Sequence, residues 1–317
     1  ASPTPPPSRC RCDVPKPSRA RPRSSTTVQP VRIGAVTVTP LVQFHYRVDP
    51  HLFFPDLDLS ELDPGSWFLQ PPYCEDDFLV VDISAFLVRA PGRTLLVDAG
   101  VGNSKPRPNP CFRERSDPWE ELLKAAGVEP SEIDTVVFTH LHVDHVGFAT
   151  RFDGSRWVPA FPAARYLTTA AELDYWTGSE AARFRERLGD YLADSVLPLQ
   201  EAGLLDVVAP DHRVSPEVRL LPAPGHTPGN VCVEIVSAGQ RGVFAGDMVH
   251  HPIQLARPGL STDFCVHGAC AAESRQALLR DIADTDAVLF PAHFPEAVPG
   301  RVRADPAGGY RYEPVTS

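Results

Sequence analysis

Short apolar blocks, punctuated by Gly, Pro and Asp, organise this chain from about residue 31 onward, whereas the first 30 residues carry Pro, Ser, Thr and Arg and almost no apolar side chains. A segment that buries so little apolar surface cannot offset the entropy of ordering, so residues 1–30 are expected to form a flexible tail. The β-branched run Val31–Val38 and the apolar runs Phe78–Val88 and Thr94–Val97 predict strands. Between them, residues 49–76 mix Pro and Asp with Phe53, Phe54, Trp67, Phe68 and Tyr73, the pattern of an irregular surface excursion and a candidate lid. Asp117 is placed to cap a helix carrying Leu122 and Leu123 that Gly127 ends. Ile133–Phe138 reads as a strand, and Thr169–Trp176 and Glu180–Ala193 read as helices. Strands follow at Leu205–Val208, Val218–Leu221, Val231–Val236 and Val243–Phe244, then a helix over Ala271–Ala283 and a strand at Ala287–Phe290. Strands clustered in each half with helices between them predict one layered α/β domain over residues 31–317.

Composition narrows the function classes. With 317 residues and a net charge of −10, the chain lacks the basic face through which proteins neutralise phosphates, so a nucleic-acid partner is not expected. No apolar stretch reaches the length of a membrane span. The seven cysteines are odd in number and scattered, which favours reduced thiols and a cytoplasmic setting. Cys10 and Cys12 form a C-x-C pair with no second pair beside it, which argues against a zinc ribbon. The tail lacks the apolar core of a secretory signal, and its prolines oppose an amphipathic transit helix.

The chemistry concentrates in His140-Leu141-His142-Val143-Asp144-His145, directly after the apolar strand Val136-Val137-Phe138. Neutral imidazole and ionised carboxylate are donors that zinc and related divalent ions prefer. The i, i+2 spacing lets His140 and His142 aim at one ion, while Asp144 and His145 can turn toward a second. Two ions need more ligands, and three later residues share the same setting at a strand's end. They are His226 in Pro224-Gly225-His226-Thr227-Pro228-Gly229, Asp247 after Val243-Phe244-Ala245-Gly246, and His293 after Phe290-Pro291-Ala292.

The succession H-x-H-x-D-H, G-H-T-P-G, G-D and a late A-H resembles the metallo-β-lactamase superfamily. That resemblance implies a four-layer αβ/βα sandwich with a dinuclear site at one edge of two sheets. It further implies that His140, His142 and His226 bind one metal and that Asp144, His145 and His293 bind the other. Asp247 would bridge both, and Asp98 in Leu95-Leu96-Val97-Asp98-Ala99-Gly100 would support the metal loop from behind. His142 and a bridging-type Asp247 depart from the true β-lactamases, and His142 is not the Glu of the diiron flavoprotein branch. The flanks Arg156-Trp157-Val158-Pro159, Phe161-Pro162-Ala163-Ala164-Arg165-Tyr166 and Gly246-Asp247-Met248-Val249-His250-His251-Pro252 resemble the methyl parathion hydrolase-like group, close to the quorum-sensing lactonases.

The implied activity is hydrolysis of a small-molecule lactone or carboxylic ester by a hydroxide held between two divalent ions, with Asp144 and Asp247 as catalytic residues. Zinc is the favoured metal, with Mn, Fe or Co as alternatives. Phosphotriester and thioester hydrolysis stay open, as do a catalytically silent metal-binding protein and a homodimer. His250 and His251 are candidates for a place in the pocket or behind the ligands, with a structural role as the alternative. Phe148, Trp157, Trp176 and the aromatics of residues 53–73 are the candidate pocket walls. Cys232, Cys265 and Cys270 are read as packing residues.

Overall fold

The computed structural model describes residues 29–315; the tail expected over residues 1–30 lies outside them except for its last two positions, as does the Cys10/Cys12 pair. The first half forms β1 (Val31–Ile33), β2 (Val36–Val48), β3 (Cys74–Glu75), β4 (Phe78–Ala90), β5 (Arg93–Val97), β6 (Thr135–Val137), β7 (Thr150–Phe152), β8 (Trp157–Pro159), β9 (Arg165–Thr169) and β10 (Leu205–Val208). The second half forms β11 (Val218–Pro222), β12 (Val231–Ser237), β13 (Gln240–Gly246), β14 (Val288–Pro291), β15 (Gly300–Ala304) and β16 (Tyr310–Pro314). One sheet runs β1-β2-β4-β5-β6-β9-β10 with β3 paired to β4, a second runs β11 through β16 in sequence order, and β7 pairs with β8 separately.

Strand periodicity produces the layers. Along β4, Phe86 and Val88 point between the sheets, where they meet Val233, Ile235, Phe244 and Phe290 of the second sheet. The alternate residues Ile83, Ala85 and Leu87 point outward to Trp119, Leu123, Trp176 and Phe184 from the helices of the first half. On the far side, Val243, Ala245 and Leu289 pack against Leu279 and Ile282 of the helix Gly268–Ile282. The result is helix, sheet, sheet, helix, the four layers expected. Because both faces of the central strands are covered, they read as continuous apolar runs rather than as alternation.

Several expected elements are resolved differently. The run Val31–Val38 is a hairpin of β1 and β2 turning at Gly34, whose φ is +60°. The helix expected over Glu180–Ala193 is two, Ala182–Leu188 and Leu192–Ser195, separated at Gly189 with φ +88°. The helix Trp119–Ala125 starts from Pro118 without a side-chain cap. Asp117 instead accepts from Arg115 and Gln43, so its role is to tie loops together. Residues 49–76 hold a short helix, Pro50–Phe53, and two 3-10 turns, and Phe53, Phe54 and Phe68 are buried there instead of spread over the surface. Cys74, Cys232, Cys265 and Cys270 are free, but Cys111 is disulfide-bonded, which corrects the all-thiol expectation. Disulfides persist in oxidising surroundings, so the cysteines lend no support to a cytoplasmic location. Among the described residues no helix is long and apolar enough to cross a membrane.

Phe290 sits at the centre of the inter-sheet layer, fully buried and stacked on Phe244 with centroids 4.8 Å apart. Truncation there removes a large transfer contribution and leaves a cavity. Phe290→Ala is therefore expected to cost roughly 3–5 kcal/mol, read from the urea midpoint with the m-value unchanged.

Candidate metal centre

Parallel neighbours end at the same edge of a sheet, and that geometry gathers the site. β5 pairs in parallel with β6, so Asp98 and the loop at His140 emerge together. β13 pairs in parallel with β14, so Asp247 and His293 also emerge together. The two sheets are stitched at this edge by Val231 N–H donating to the Thr139 carbonyl at 2.9 Å. His226 arrives from the turn that follows β11, where the chain reverses into β12.

Asp247 lies at the centre, 3% exposed. Its Oδ2 is 2.9 Å from His226 Nε2, 3.0 Å from His250 Nε2 and 3.5 Å from His140 Nε2. Its Oδ1 is 2.8 Å from His293 Nε2 and 3.0 Å from His145 Nε2. His142 joins through Nδ1, 2.9 Å from His140 Nε2 and 2.8 Å from His226 Nε2. Donor atoms of His140, His142, His226 and Asp247 lie within 4.8 Å of one another, and those of Asp144, His145 and His293 form a second such group. Asp144 Oδ2 is 3.9 Å from His145 Nε2 and 4.0 Å from His293 Nε2.

These residues fit divalent ions on their own chemistry. A neutral imidazole has one N–H, so three ring nitrogens converging within 3 Å cannot all satisfy one another. His145 Nε2 and both nitrogens of His250 are buried without a hydrogen-bond partner among the described residues, although Asp247 is beside them. Lone pairs aimed inward, with the opposite ring nitrogen anchored outside, is how metal-ligating histidines are held. His145 Nδ1 is 2.9 Å from Asp98 Oδ2, and His293 Nδ1 is 2.7 Å from the Asp82 carbonyl. His140 Nδ1 is 3.1 Å from Thr139 Oγ1, and His226 Nδ1 is 3.4 Å from Cys265 Sγ.

The family model of the Metallo-beta-lactamase superfamily matches residues 79–293, which contain all seven of these ligand candidates. The chain belongs to the metallo-beta-lactamase superfamily. It is 27% identical over 183 residues to an N-acyl homoserine lactonase of Bacillus cereus, covering 54% of this chain and 60% of that protein. It is 29% identical over 137 residues to the N-acyl homoserine lactonase AiiB of Agrobacterium fabrum, covering 36% and 50%. The chain thus spans about 60% of the first relative's length and half of the second's. Among solved structures, hydrolase AbOPH of the beta lactamase superfamily superposes with a TM-score of 0.77 at 25% identity, covering 91% of this chain and 97% of that one. AidC, a dizinc quorum-quenching lactonase, superposes with a TM-score of 0.76 at 21% identity and the same coverage.

Within this superfamily site, the electrostatics divide along the two groups. Burial would raise Asp247, but the imidazoles of His145, His293, His250 and His140 outweigh it and hold the carboxyl well below its usual range. Burial likewise opposes charge on His145, yet Asp247, Asp98 and Asp144 push it well above the ordinary value. Burial keeps His140 and His142 well below that value, and lowers His226 to about 4.

The structure separates residues that the sequence leaves equivalent. His250 faces Asp247 and lies edge-on to Phe53 with centroids 5.7 Å apart. His251 turns away, its Nε2 2.9 Å from the Tyr73 carbonyl, and belongs to packing. Trp176 meets the His142 ring at 5.0 Å. Phe148 instead stacks on Trp119, and Trp157 lies under Lys105, so neither walls the site. Cys265, expected only to pack, touches a ligand candidate.

Two buried carboxylates that touch the segments carrying the ligand candidates escaped the sequence reading. Glu172, 1% exposed, accepts four hydrogen bonds behind the histidines. Its only trace in sequence is position: Glu172 lies in the turn of helix that directly follows β9 (Arg165–Thr169), which is parallel to β6, so it comes out at the same edge. The other, Asp82, accepts from Glu296 N–H at 2.6 Å and shapes the turn after His293.

Burial pushes the Asp82 carboxyl up to about 7 from 3.8, against the pull of the Glu296 amide and His293. The folded chain therefore holds this proton more tightly than the unfolded chain between those values. Its contribution to stability is complete below the lower value and is lost as pH rises through the upper one. Asp82→Asn, which cannot ionise, is expected to gain stability relative to the parent as pH rises from about 4 to about 7, with the difference level above that. Thermal midpoints of chelated protein check this; a difference constant across pH would refute it.

Proposed function

We propose that this chain is a dinuclear metal-dependent hydrolase that opens a lactone or cleaves a carboxylic ester. The observation that carries the reading is the placement of Asp247, one oxygen toward His226 and His140 and the other toward His145 and His293. In this reading His140, His142 and His226 hold one ion, Asp144, His145 and His293 hold the other, and Asp247 spans them. The mixed imidazole and carboxylate donors suit zinc, and the dizinc lactonase AidC shares the fold. The curated relatives are named as N-acyl homoserine lactonases, which supports a lactone as substrate.

When bound, such a pair of ions supplies a Lewis acid and a water acidic enough to act as nucleophile near neutral pH. The chain's own residues divide the remaining tasks. Asp247, hemmed in by imidazoles, keeps its charge and fixes the spacing of the two groups. Asp144 has the more open carboxylate, with its side chain 16% exposed against 5% for Asp247. It is therefore the residue placed to move a proton at the leaving oxygen. His250 stands on the Asp247 Oδ2 side with its ring nitrogens unpaired among the described residues, positioned to orient a substrate oxygen.

Trp176 covers the His142 ring and Phe53 covers the His250 ring, so the two aromatic side chains nearest the site bound it on those sides.

Metal-loaded protein is expected to release acid rapidly from lactones in a pH-stat, to stop when chelated, and to recover when a divalent ion is returned. Asp247→Ala is expected to lower turnover by more than the roughly 10–100-fold that loss of an outer partner costs, with bound metal reduced in parallel. Acid release only from phosphotriesters or thioesters would replace the substrate assignment. A metal-loaded protein inert toward all three would leave a metal-binding protein without this activity.

A further inference from the structure

Four of the five imidazoles assigned to the two ions are fastened from behind at their outer nitrogen, by Thr139, Asp98, Cys265 and the Asp82 carbonyl. His142 is the exception. It faces the cluster with Nδ1, and its Nε2 is buried with no hydrogen-bond partner among the described residues. A ligand ring without an outer partner must be oriented by something else.

Its backbone and its neighbouring ring converge on one carboxylate. Glu172 Oε1 accepts from Leu141 N–H, the amide between His140 and His142, at 2.8 Å. The same oxygen accepts from Trp176 Nε1 at 2.7 Å, and the Trp176 ring is the surface on which His142 rests. Glu172 Oε2 accepts from Thr227 Oγ1 at 2.6 Å and from Gly229 N–H at 3.0 Å, both in the turn that presents His226. That turn presses so closely on Glu172 that a Cβ at Gly229 would stand 2.2 Å from the Glu172 nitrogen. Burial pushes the Glu172 carboxyl up, while the four donors pull the other way.

We propose that Glu172 is the positioning residue of the His140, His142 and His226 group, setting the metal affinity of that group and not of the other. The inference rests on reading the two groups as metal sites. Three of its four ties run to the segments that carry His140, His142 and His226, and the fourth holds the Trp176 ring against His142; the rings of the other group are backed separately by Asp98 and the Asp82 carbonyl. The loss of an outer partner typically costs 10–100-fold in metal affinity.

Glu172→Gln keeps the shape but turns one acceptor into a donor aimed at existing donors. Zinc titration of the full chain in competition with a chromophoric chelator, without substrate, is the test. The parent is expected to show two binding components, and His226→Ala identifies the one carried by the first group. In Glu172→Gln that component is expected to weaken by roughly 10–100-fold while the other is unchanged. Thr227→Val removes one of the four ties without disturbing the helix, and should weaken the same component by less. It decides the matter if the Gln variant does not fold. Equal weakening of both components, or parental affinities in a folded variant, would overturn the proposal. A parent without two components would overturn the dinuclear reading and this inference with it.

Discussion

A carboxylate buried almost completely among five imidazoles is the constraint around which the rest of the molecule is arranged. Taking an ionised carboxyl out of water is costly unless opposite charge and hydrogen bonds compensate it. Asp247 is surrounded by rings from His140, His145, His226, His250 and His293, which come from four separate stretches of chain. No local segment could assemble that environment. It exists only when both sheets are formed and registered, so the site and the fold are specified by the same contacts.

The sheets meet this requirement through topology more than through side-chain detail. Parallel pairing of β5, β6 and β9 in one sheet and of β13 with β14 in the other sends each strand's end to one common edge. The inter-sheet layer of Phe86, Phe244 and Phe290 fixes the separation behind that edge. Stiffness at the strand ends is inherited by the loops, and the loops close on one another through backbone contacts such as Val231 to Thr139. Catalytic groups on short loops above a rigid scaffold are the usual outcome of such architecture.

How much of this the sequence discloses depends on whether a residue announces itself locally. The seven histidines and aspartates are legible because each follows an apolar run, and no apolar strand needs a histidine at its end for packing. Asp98 is legible for the same reason. Glu172 is not, because a glutamate in the first turn of an eight-residue helix looks like an ordinary solvent-facing residue. Its burial is decided by the Gly225–Gly229 turn, far along the chain. His250 and His251 are adjacent in sequence and opposite in fate, since only the backbone direction after β13 decides which one meets Asp247. The C-terminal hairpin of β15 and β16 also escapes. Its half-buried Arg301 and Arg303 on β15 and exposed Arg311 on the edge strand β16 interrupt the apolar pattern that marks the central strands.

The two groups of ligands are unequal, and the inequality follows from what stands behind them. His145 and His293 are backed by the Asp98 carboxylate and the Asp82 carbonyl and stand beside Asp144, so negative charge accumulates on their side. His140 and His226 are backed by a hydroxyl and a thiol, His142 Nε2 has no hydrogen-bond partner among the described residues, and Asp247 is the carboxylate grouped with them. In the proposed reading, a dication at the second group would have Asp144 and the Asp98 carboxylate close by, whereas one at the first would depend on Asp247 and on the accuracy with which three rings converge. Charge attracts over distance and tolerates small displacements; convergence does not. The buried hydrogen-bond network centred on Glu172 lies behind the first group, where it ties together the segments whose rings must converge.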